Sequence, residues 1–317
     1  MPLLFDSHTH LQFSAFNKDR DEVIKRTLDD NIWIVNVGSQ KDTSRKAVDL
    51  ANKYPKGVYA TIGLHPIHVD KNHYDFQEFD GDNGFNPRGE EFDYEFYKNL
   101  ARNEKVVAIG ECGLDYAVFA REQGERPQKR ASADSAFVAA SAKEAALREG
   151  GLPSEEKLKD KQKEVFIKHV ELAHELKKPL MIHCRRAFDD LISILTTNSQ
   201  LLNTNPGIIH FFTGTLDDAK KLLEIEFYFT FGGLITYNRQ LDEIIKFLPL
   251  EKILLETDAP YVAPEPYRAR LPDGQGKRNE PIYISETAKK LAEIKNVSFE
   301  EIARQTTENT LKIFKIK

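Results

Sequence analysis

The sequence is poor in cysteine, with only Cys112 and Cys184 among its 317 residues. Two cysteines cannot build a disulfide framework, so we expect a reducing compartment and a cytoplasmic location. No apolar run approaches the roughly 18 residues that a membrane-spanning helix needs. The first residues also lack the basic stretch and apolar core of a secretory signal. We therefore expect a cytoplasmic protein that contacts no membrane.

An excess of positive charge is absent as well. The formal net charge is -5 at pH 7, which argues against a protein that coats nucleic acid along its length. An enzyme that acts on nucleic acid ends is still compatible with this charge, because a local positive pocket and bound metals would suffice. The remaining composition is that of an ordinary globular protein, with 40% hydrophobic residues and 30% charged residues.

A regular alternation of short apolar runs and amphipathic segments is present along the chain. The predicted strands are Leu3–Ser7, Ile32–Val37, Val58–Gly63, Val106–Gly110, Leu180–Ile182, Ile208–Ile209, Phe227–Phe231 and Ile253–Glu256. The predicted helices are Asp21–Asp30, Thr43–Lys53, Phe92–Arg102, Glu164–Lys177, Phe188–Thr197, Leu216–Ile225 and Leu241–Leu248. Eight such units predict an α/β protein, a (β/α)8 TIM barrel, although the pattern alone also allows an open doubly wound sheet. A dinucleotide-binding fold is disfavoured because no glycine-rich loop follows the first strand.

We interpret residues 1–317 as a single barrel domain with two long insertions, at about 68–91 and 117–160. Both insertions follow strands, so in a barrel both would lie on the C-terminal face, where active sites occur. Two interpretations stay open for them: solvated surface segments, or a lid over the substrate.

Metal-ligand residue types recur at the predicted strand ends. His8 and His10 follow the first strand, and their spacing of two places both side chains on one side of it. The other candidates follow four further strands and are Glu111, His183, His210 and Asp258. Parallel barrel strands deliver their carboxyl ends to one face, so these six residues are expected to converge. Four imidazoles and two carboxylates suffice for two divalent cations, with Glu111 bridging them and one position open to water.

The remaining histidines and the two cysteines are interpreted differently. His65 follows the third strand and has two possible roles, as a substrate contact or as a metal ligand. His68, His73, His169 and His174 are expected to face solvent, since they lie in a loop or on an amphipathic helix. Cys112 and Cys184 are expected to be small packing residues.

The motifs resemble those of a known family. They occur in the same order as in that family and span nearly the whole chain. The matching segments are residues 6–11 (DSHTHL), 63–66 (GLHP), 109–116 (IGECGLDY), 182–185 (IHCR), 210–214 (HFFTG), 256–261 (ETDAPY) and 278–281 (RNEP). The sequence resembles the TatD family of metal-dependent deoxyribonucleases, within the amidohydrolase superfamily. It departs from the family's pattern at Phe211, where cysteine is common, and in the length of its second insertion.

The resemblance implies a site with two metals. One cation would be held by His8, His10, Glu111 and Asp258, and the second by Glu111, His183 and His210. Asp258 would act as general base, with Glu111 and His65 as further catalytic residues. Substrate would contact Arg185, His65, Tyr261 and Arg278. The ligand types admit magnesium, manganese or zinc.

The expected activity is metal-dependent cleavage of phosphodiester bonds, by a 3′-5′ exodeoxyribonuclease that acts on single-stranded DNA ends and on RNA as a further possible substrate. The alternative enzyme is an amide or ester hydrolase such as a D-aminoacyl-tRNA deacylase, because the same metal pair would polarise a carbonyl group. A binding protein without catalytic activity is the third alternative. The oligomeric state is not predicted beyond compatibility with a monomer.

Overall fold

Eight parallel strands form the centre of the molecule. The computed structural model describes residues 1–69, 89–117, 155–268 and 278–317. The strands are β1 (Leu4–Thr9), β2 (Ile32–Val37), β3 (Val58–Ile62), β4 (Val106–Asp115), β5 (Leu180–Arg185), β6 (Gly207–His210), β7 (Tyr228–Phe231) and β8 (Ile253–Leu255). They lie side by side in chain order, and each pairs with the next in parallel. Both faces are buried, as expected for parallel strands with helices on one side.

The first and last strands meet and close the sheet. Thr9 and Ala259 form a parallel bridge. The backbone N–H of His10 donates to the carbonyl oxygen of Ala259 at 2.7 Å, and that of Asp258 donates to His8 at 2.9 Å. The sheet is therefore a nearly closed barrel, and the (β/α)8 prediction is confirmed.

Helices surround the barrel. They are α1 (Arg20–Asp29), α2 (Lys41–Asn52), α3 (Tyr94–Leu100), α4 (Glu155–Leu176), α5 (Phe188–Thr197), α6 (Leu216–Glu224), α7 (Asp242–Phe247), α8 (Ile284–Lys295) and α9 (Phe299–Ile313). Most of the apolar core lies between the strands and these helices. Among the described helices, none has the length and apolar character that crossing a membrane would need.

A second, smaller core fills the N-terminal end of the barrel. It contains Phe5, Trp33, Met181 and Tyr228 from the strands, and Phe314 from the segment after α9. This packing makes the barrel interior a solid core at that end. The opposite end, where the strands terminate, is therefore left for polar side chains.

Three sequence-based expectations differ from the structure. Strand β4 runs five residues beyond its predicted end at Gly110, because Gly110 and Gly113 permit close pairing with β5. His68 and His169 were expected to face solvent but are 3% and 0% exposed. Helices α8 and α9 were not predicted. Much of the two predicted insertions, including His73, lies outside the described residues.

Candidate metal centre

The carboxylate of Glu111 lies at the centre of a group of imidazoles. His183 Nδ1 and His65 Nε2 lie 3.1 Å and 3.3 Å from Glu111 Oε1. His210 Nε2 lies 3.6 Å from the same oxygen, and His8 Nε2 lies 3.5 Å from Oε2. Burial opposes ionisation of Glu111, but these imidazoles outweigh it and hold its pKa well below the ordinary value. We call the set of His8, His10, His65, Glu111, His183, His210 and Asp258 the Glu111 cluster.

Strand β1 and its end supply His8 and His10 on the same side. Their Nε2 atoms are 3.0 Å apart. His10 Nδ1 lies 2.8 Å from the carbonyl oxygen of Val37 and must donate to it, so in the neutral ring the lone pair is on Nε2. His8 is fully buried, and its Nδ1 has no hydrogen-bond partner in the described structure.

Two further imidazoles are oriented by buried carboxylates. His210 Nδ1 lies 2.8 Å from Glu256 Oε2, and His183 Nε2 lies 3.0 Å from Asp115 Oδ2. Since a carboxylate accepts, each of these nitrogens donates and the opposite nitrogen faces Glu111. Burial alone would lower both imidazole pKa values, but the carboxylates raise that of His183 to about 9 and that of His210 to about 10.

The ring of His65 has the opposite orientation. Its Nδ1 accepts the backbone N–H of Ile67 at 3.2 Å, so the proton of the neutral ring is on Nε2, toward Glu111. The backbone before it is held by His169 of α4, whose Nε2 accepts the N–H of Leu64 at 3.0 Å. His65 therefore presents a donor, whereas the facing nitrogens of His10, His183 and His210 carry lone pairs when their rings are neutral, which is the form that binds a cation.

Asp258 approaches the cluster from the end of β8. Its Oδ1 lies 3.4 Å from His10 Nε2 and 3.7 Å from His8 Nε2. Its side chain is 17% exposed, whereas that of Glu111 is 6% exposed. Burial opposes its ionisation, but the close contact with His10 and the charges of His210 and His8 lower its pKa. Asp258 also adopts a left-handed backbone, with φ of 56°.

Asp6 fixes the relative positions of β1 and the segment after β8. One oxygen of its carboxylate accepts the backbone N–H of His8 at 3.2 Å and that of Thr257 at 2.9 Å. The other accepts the hydroxyl of Thr257 at 2.5 Å. Burial raises the pKa of Asp6 to about 8. Asp258 directly follows Thr257, and His8 is itself hydrogen-bonded to Asp6. The contact between Asp6 and Thr257 therefore positions two members of the cluster.

Glycines let the backbone of β4 lie close to its neighbours at Glu111. A Cβ on Gly63 would lie 2.7 Å from the carbonyl oxygen of Glu111. Gly113 has φ of 136°, and a Cβ there would collide with the carbonyl oxygen of His183. Only glycine fits such close approaches. These positions bring Glu111, His65 and His183 into contact.

The predicted substrate residues fall into two groups. The ring of Tyr261 lies 6.1 Å from that of His10, and Arg185 is exposed at the end of β5, two residues after His183. The contacts of Arg278 are with two carboxylates outside the cluster. Its guanidinium donates to Asp19 at 2.6 Å and to Glu280 at 2.8 Å. These carboxylates raise the pKa of Arg278 and neutralise its charge. The structure thus groups Arg185 and Tyr261 with the cluster, and Arg278 with an ion pair network.

Sequence reasoning missed Asp115 and Glu256 as functional residues. Both had a detectable signal in the alternation of side chains along an extended chain. Asp115 is four residues after Glu111, and Glu256 is two residues before Asp258, so each shares a side with a predicted ligand.

The donor set fits divalent cations. Within the described residues, three groups have ligand atoms within 4.8 Å of one another: His8 with His10 and Glu111, His8 with His210 and Glu256, and His65 with Glu111 and His183. The Nε2 atoms of His8 and His10 are 3.0 Å apart and lie within 3.4–3.7 Å of carboxylate oxygens of Glu111 and Asp258. Neutral imidazole nitrogens and carboxylate oxygens gathered in this way are ligands for a divalent cation.

Comparisons with known proteins identify the family of this chain. Residues 5–315 match the family model described as TatD related DNase. The chain is 33% identical to an uncharacterized metal-dependent hydrolase, YabD, of Bacillus subtilis, covering 99% of this chain and 100% of that protein. It is 30% identical to a protein of Erwinia billingiae named 3′-5′ ssDNA/RNA exonuclease TatD, covering 99% of each. The crystal structure of the TatD homologue YJJV from Escherichia coli shares the fold, with a TM-score of 0.71, 23% identity and 99% of each chain covered. The chain belongs to the family of TatD related DNases and is a metal-dependent hydrolase.

Proposed function

We propose that this hydrolase cleaves phosphodiester bonds at the 3′ ends of single-stranded DNA, and that RNA ends are a further substrate. The observation that carries the proposal is the buried carboxylate of Glu111 with four imidazole nitrogens within 3.1–3.6 Å of its oxygens. Such a carboxylate can bridge two cations, and paired cations are a recurrent solution for hydrolysing phosphate esters. The Erwinia relative that is named as an exonuclease supports this substrate class.

The residues divide into two ligand sets in this proposal. His8, His10, Glu111 and Asp258 hold one cation, and Glu111, His183 and His210 hold the second. When bound, the cations supply Lewis acidity toward a phosphoryl oxygen and lower the pKa of a water molecule. Magnesium, manganese and zinc all remain compatible with imidazole and carboxylate ligands.

Four residues act on the substrate and on the water molecule. Asp258 accepts the proton of the attacking water, since its carboxylate is ionised and more accessible than the other carboxylates of the cluster. His65 donates from Nε2–H to a non-bridging phosphate oxygen. Arg185 binds the phosphate from the rim, where its side chain is exposed at the end of β5. Tyr261 contacts the terminal nucleotide in this proposal.

The test is hydrolysis by Asp258→Asn. We expect the variant to fold normally and to lose about 100-fold to 10,000-fold in rate, the range associated with a positioned general base. The assay uses end-labelled single-stranded DNA, double-stranded DNA and RNA, and D-aminoacyl-tRNA, each with metal-loaded protein. A ladder that shortens from the 3′ end is the expected product pattern.

Asp190→Asn is the matched control. Asp190 is also a partly buried carboxylate, but its partners are the hydroxyl of Tyr116 and the ammonium of Lys163. Its variant should retain hydrolysis. Wild-type turnover by Asp258→Asn contradicts the role of Asp258, and release of amino acid from D-aminoacyl-tRNA without cleavage of any polynucleotide contradicts the substrate class.

A further inference from the structure

A cavity lies at the end of the barrel opposite the Glu111 cluster. It has a volume of about 370 Å³ and is lined by residues that include Tyr59, Glu104, Lys177, Lys178, Lys315 and Lys317. Tyr59 and Val106 are at the starts of β3 and β4, and Lys178 precedes β5. Glu111 is five residues further along β4 than Val106, or about 16 Å away at the usual rise of a strand. We call this space the N-terminal cavity.

The lining of the N-terminal cavity is strongly positive. Four lysines line it, and Glu104 is the one acidic side chain among its described lining residues. Lys315 Nζ donates to the carbonyl oxygen of Lys177 at 3.1 Å, and Lys178 Nζ donates to that of Val106. Among the described residues none of the four ammonium groups has a carboxylate within 4 Å. This concentration of charge contrasts with the formal net charge of -5 of the whole chain.

Two lysines of the cavity also have an unusual backbone. Lys177 and Lys315 adopt left-handed conformations, with φ of 52° and 54°; Lys177 directly follows α4, and Lys315 lies two residues after the end of α9. Glycine and asparagine are the residues that favour this position after a helix. A positive charge at a helix C-terminus has a favourable interaction with the helix dipole, which accounts for these two side chains. It does not account for Lys178 and Lys317.

Lys178 is the strongest indication of a ligand. Its side chain is half-buried and its ammonium has a carbonyl oxygen as its partner, although burying a charge without a counter-charge is unfavourable. Burial and the charge of Lys315 lower the pKa of Lys178. An anion in the cavity would compensate the positive charges of Lys178 and Lys315 together.

We propose that the N-terminal cavity binds a compact, multiply charged phosphate compound, at a site separate from the Glu111 cluster. Four ammonium groups around a space of about 370 Å³ match several phosphate groups held close together. Lysine binds phosphate as a point charge from many directions, so no planar bidentate geometry is required. The four lysines line one space of limited volume, which favours a compact anion over an extended nucleic acid strand.

The single tryptophan provides a local probe. Trp33 is the only tryptophan of the chain, and its ring lies 6.0 Å from that of Tyr59, which lines the cavity. The experiment titrates inorganic tripolyphosphate into the metal-loaded protein and follows Trp33 fluorescence. We expect a saturable change that weakens as salt is raised. Absence of any saturable change overturns the proposal.

Matched variants locate the site. In Lys177→Gln/Lys315→Gln/Lys317→Gln, binding should weaken at least tenfold. Lys220→Gln/Lys221→Gln/Lys289→Gln removes the same charge from α6 and α8 and should bind as wild type does. Equal weakening in both variants overturns the proposal, because it would indicate a general charge effect. If tripolyphosphate acted by removing the metal, the fluorescence change would be the same in both variants. The comparison of the two variants therefore also identifies this outcome.

Two further measurements separate the outcomes. A single-stranded oligonucleotide that displaces tripolyphosphate from the same lysines at lower concentration would overturn the compact ligand in favour of a nucleic acid strand. The first triple variant should keep wild-type metal content and hydrolysis, since its lysines are exposed and far from Glu111. The proposal therefore stands or fails independently of the proposed substrate.

Discussion

At the scale of the residue, the imidazoles of the Glu111 cluster differ in the partner of their second ring nitrogen. His10 donates to the backbone carbonyl of Val37, whereas His183 and His210 donate to the carboxylates of Asp115 and Glu256. Such partners fix the tautomer and raise the basicity of a metal-ligating imidazole. We therefore expect Asp115 and Glu256 to strengthen metal binding without touching the metal.

The pair formed by His183 and Asp115 gives a test of this role. Asp115→Asn preserves size, and the amide oxygen can still accept the backbone N–H of Ala117, which Asp115 accepts at 2.9 Å. The amide no longer offers two acceptor oxygens, so the orientation of His183 is no longer fixed. We expect the affinity for one of two cations to fall about 10-fold to 100-fold, as measured by calorimetry. Asp190→Asn is again the control, and two unchanged metal affinities in Asp115→Asn would contradict the role.

His169 gives a prediction about pH. Burial lowers the pKa of His169 to about 4, although its hydrogen bond to the carbonyl of Val165 partly opposes this. Above pH 6.5 the imidazole of His169 is neutral in both the folded and the unfolded state. Below that pH it takes up a proton in the unfolded chain but not in the folded protein. Its contribution to stability is therefore present near neutral pH and is lost between about pH 6.5 and pH 4, by about 3 kcal/mol.

The measurement compares wild type with His169→Gln. Glutamine can accept the N–H of Leu64, so the variant should fold. Urea unfolding at several pH values should show that the wild type loses about 3 kcal/mol more than the variant between pH 7 and pH 4. Other histidines titrate in both proteins and cancel in the difference. Parallel pH profiles would contradict a lowered pKa of His169 in the folded protein.

At the scale of the element, most strands could be predicted from the sequence because a strand buried on both faces is a continuous apolar run. The residues that follow the apolar part of β4 could not. Gly110, Glu111 and Gly113 disfavour a strand by local propensity, yet pairing with β5 continues to Asp115. The burial of His169 could not be predicted either, because it depends on which helix packs beneath the loop after β3. The contact between His169 and Leu64 in that loop spans 105 residues of sequence.

The six predicted ligands converge because their order along parallel strands places them at one end of the barrel. Their partners Asp115 and Glu256 escaped prediction because a carboxylate beside a ligand is not distinguished from a ligand by sequence alone. Arg278 shows the reverse situation. Its position after β8 favoured a phosphate contact, whereas its charge is neutralised by Asp19 and Glu280, neither of which the sequence pattern indicates as a partner.

The seam between β1 and β8 carries a prediction of its own. Asp6→Ala removes the acceptor for three groups, two backbone N–H groups and the hydroxyl of Thr257. Each unsatisfied buried group costs about 1–3 kcal/mol, so we expect at least about 3 kcal/mol of lost unfolding free energy. Metal affinity should fall as well, because His8 and Asp258 adjoin these contacts. Asp6→Asn retains an acceptor oxygen and should lose less unfolding free energy and less metal affinity than Asp6→Ala. Wild-type stability in Asp6→Ala would contradict the structural role of the seam.

At the scale of the whole molecule, the Glu111 cluster joins segments from most of the barrel. His8 and Asp258 are 250 residues apart in the chain, and Glu111, His183 and His210 come from three other strands. An unfolded chain cannot hold these ligands together, so a cation that binds the cluster binds the folded state preferentially. Such binding stabilises the fold by about 2.7 kcal/mol when free metal is 100 times its dissociation constant.

Chelation of metal should therefore lower the midpoint of thermal unfolding. We expect a decrease of several degrees on removal of divalent cations, measured by calorimetry, and its reversal when the metal is restored. The double variant His8→Asn/His210→Asn should unfold at nearly the same temperature with and without chelator, because it lacks a ligand from each proposed set. His169→Gln leaves every proposed ligand in place and should keep the full chelator-dependent decrease. A wild-type midpoint that chelator leaves unchanged would show that metal binding and folding are not coupled through this cluster.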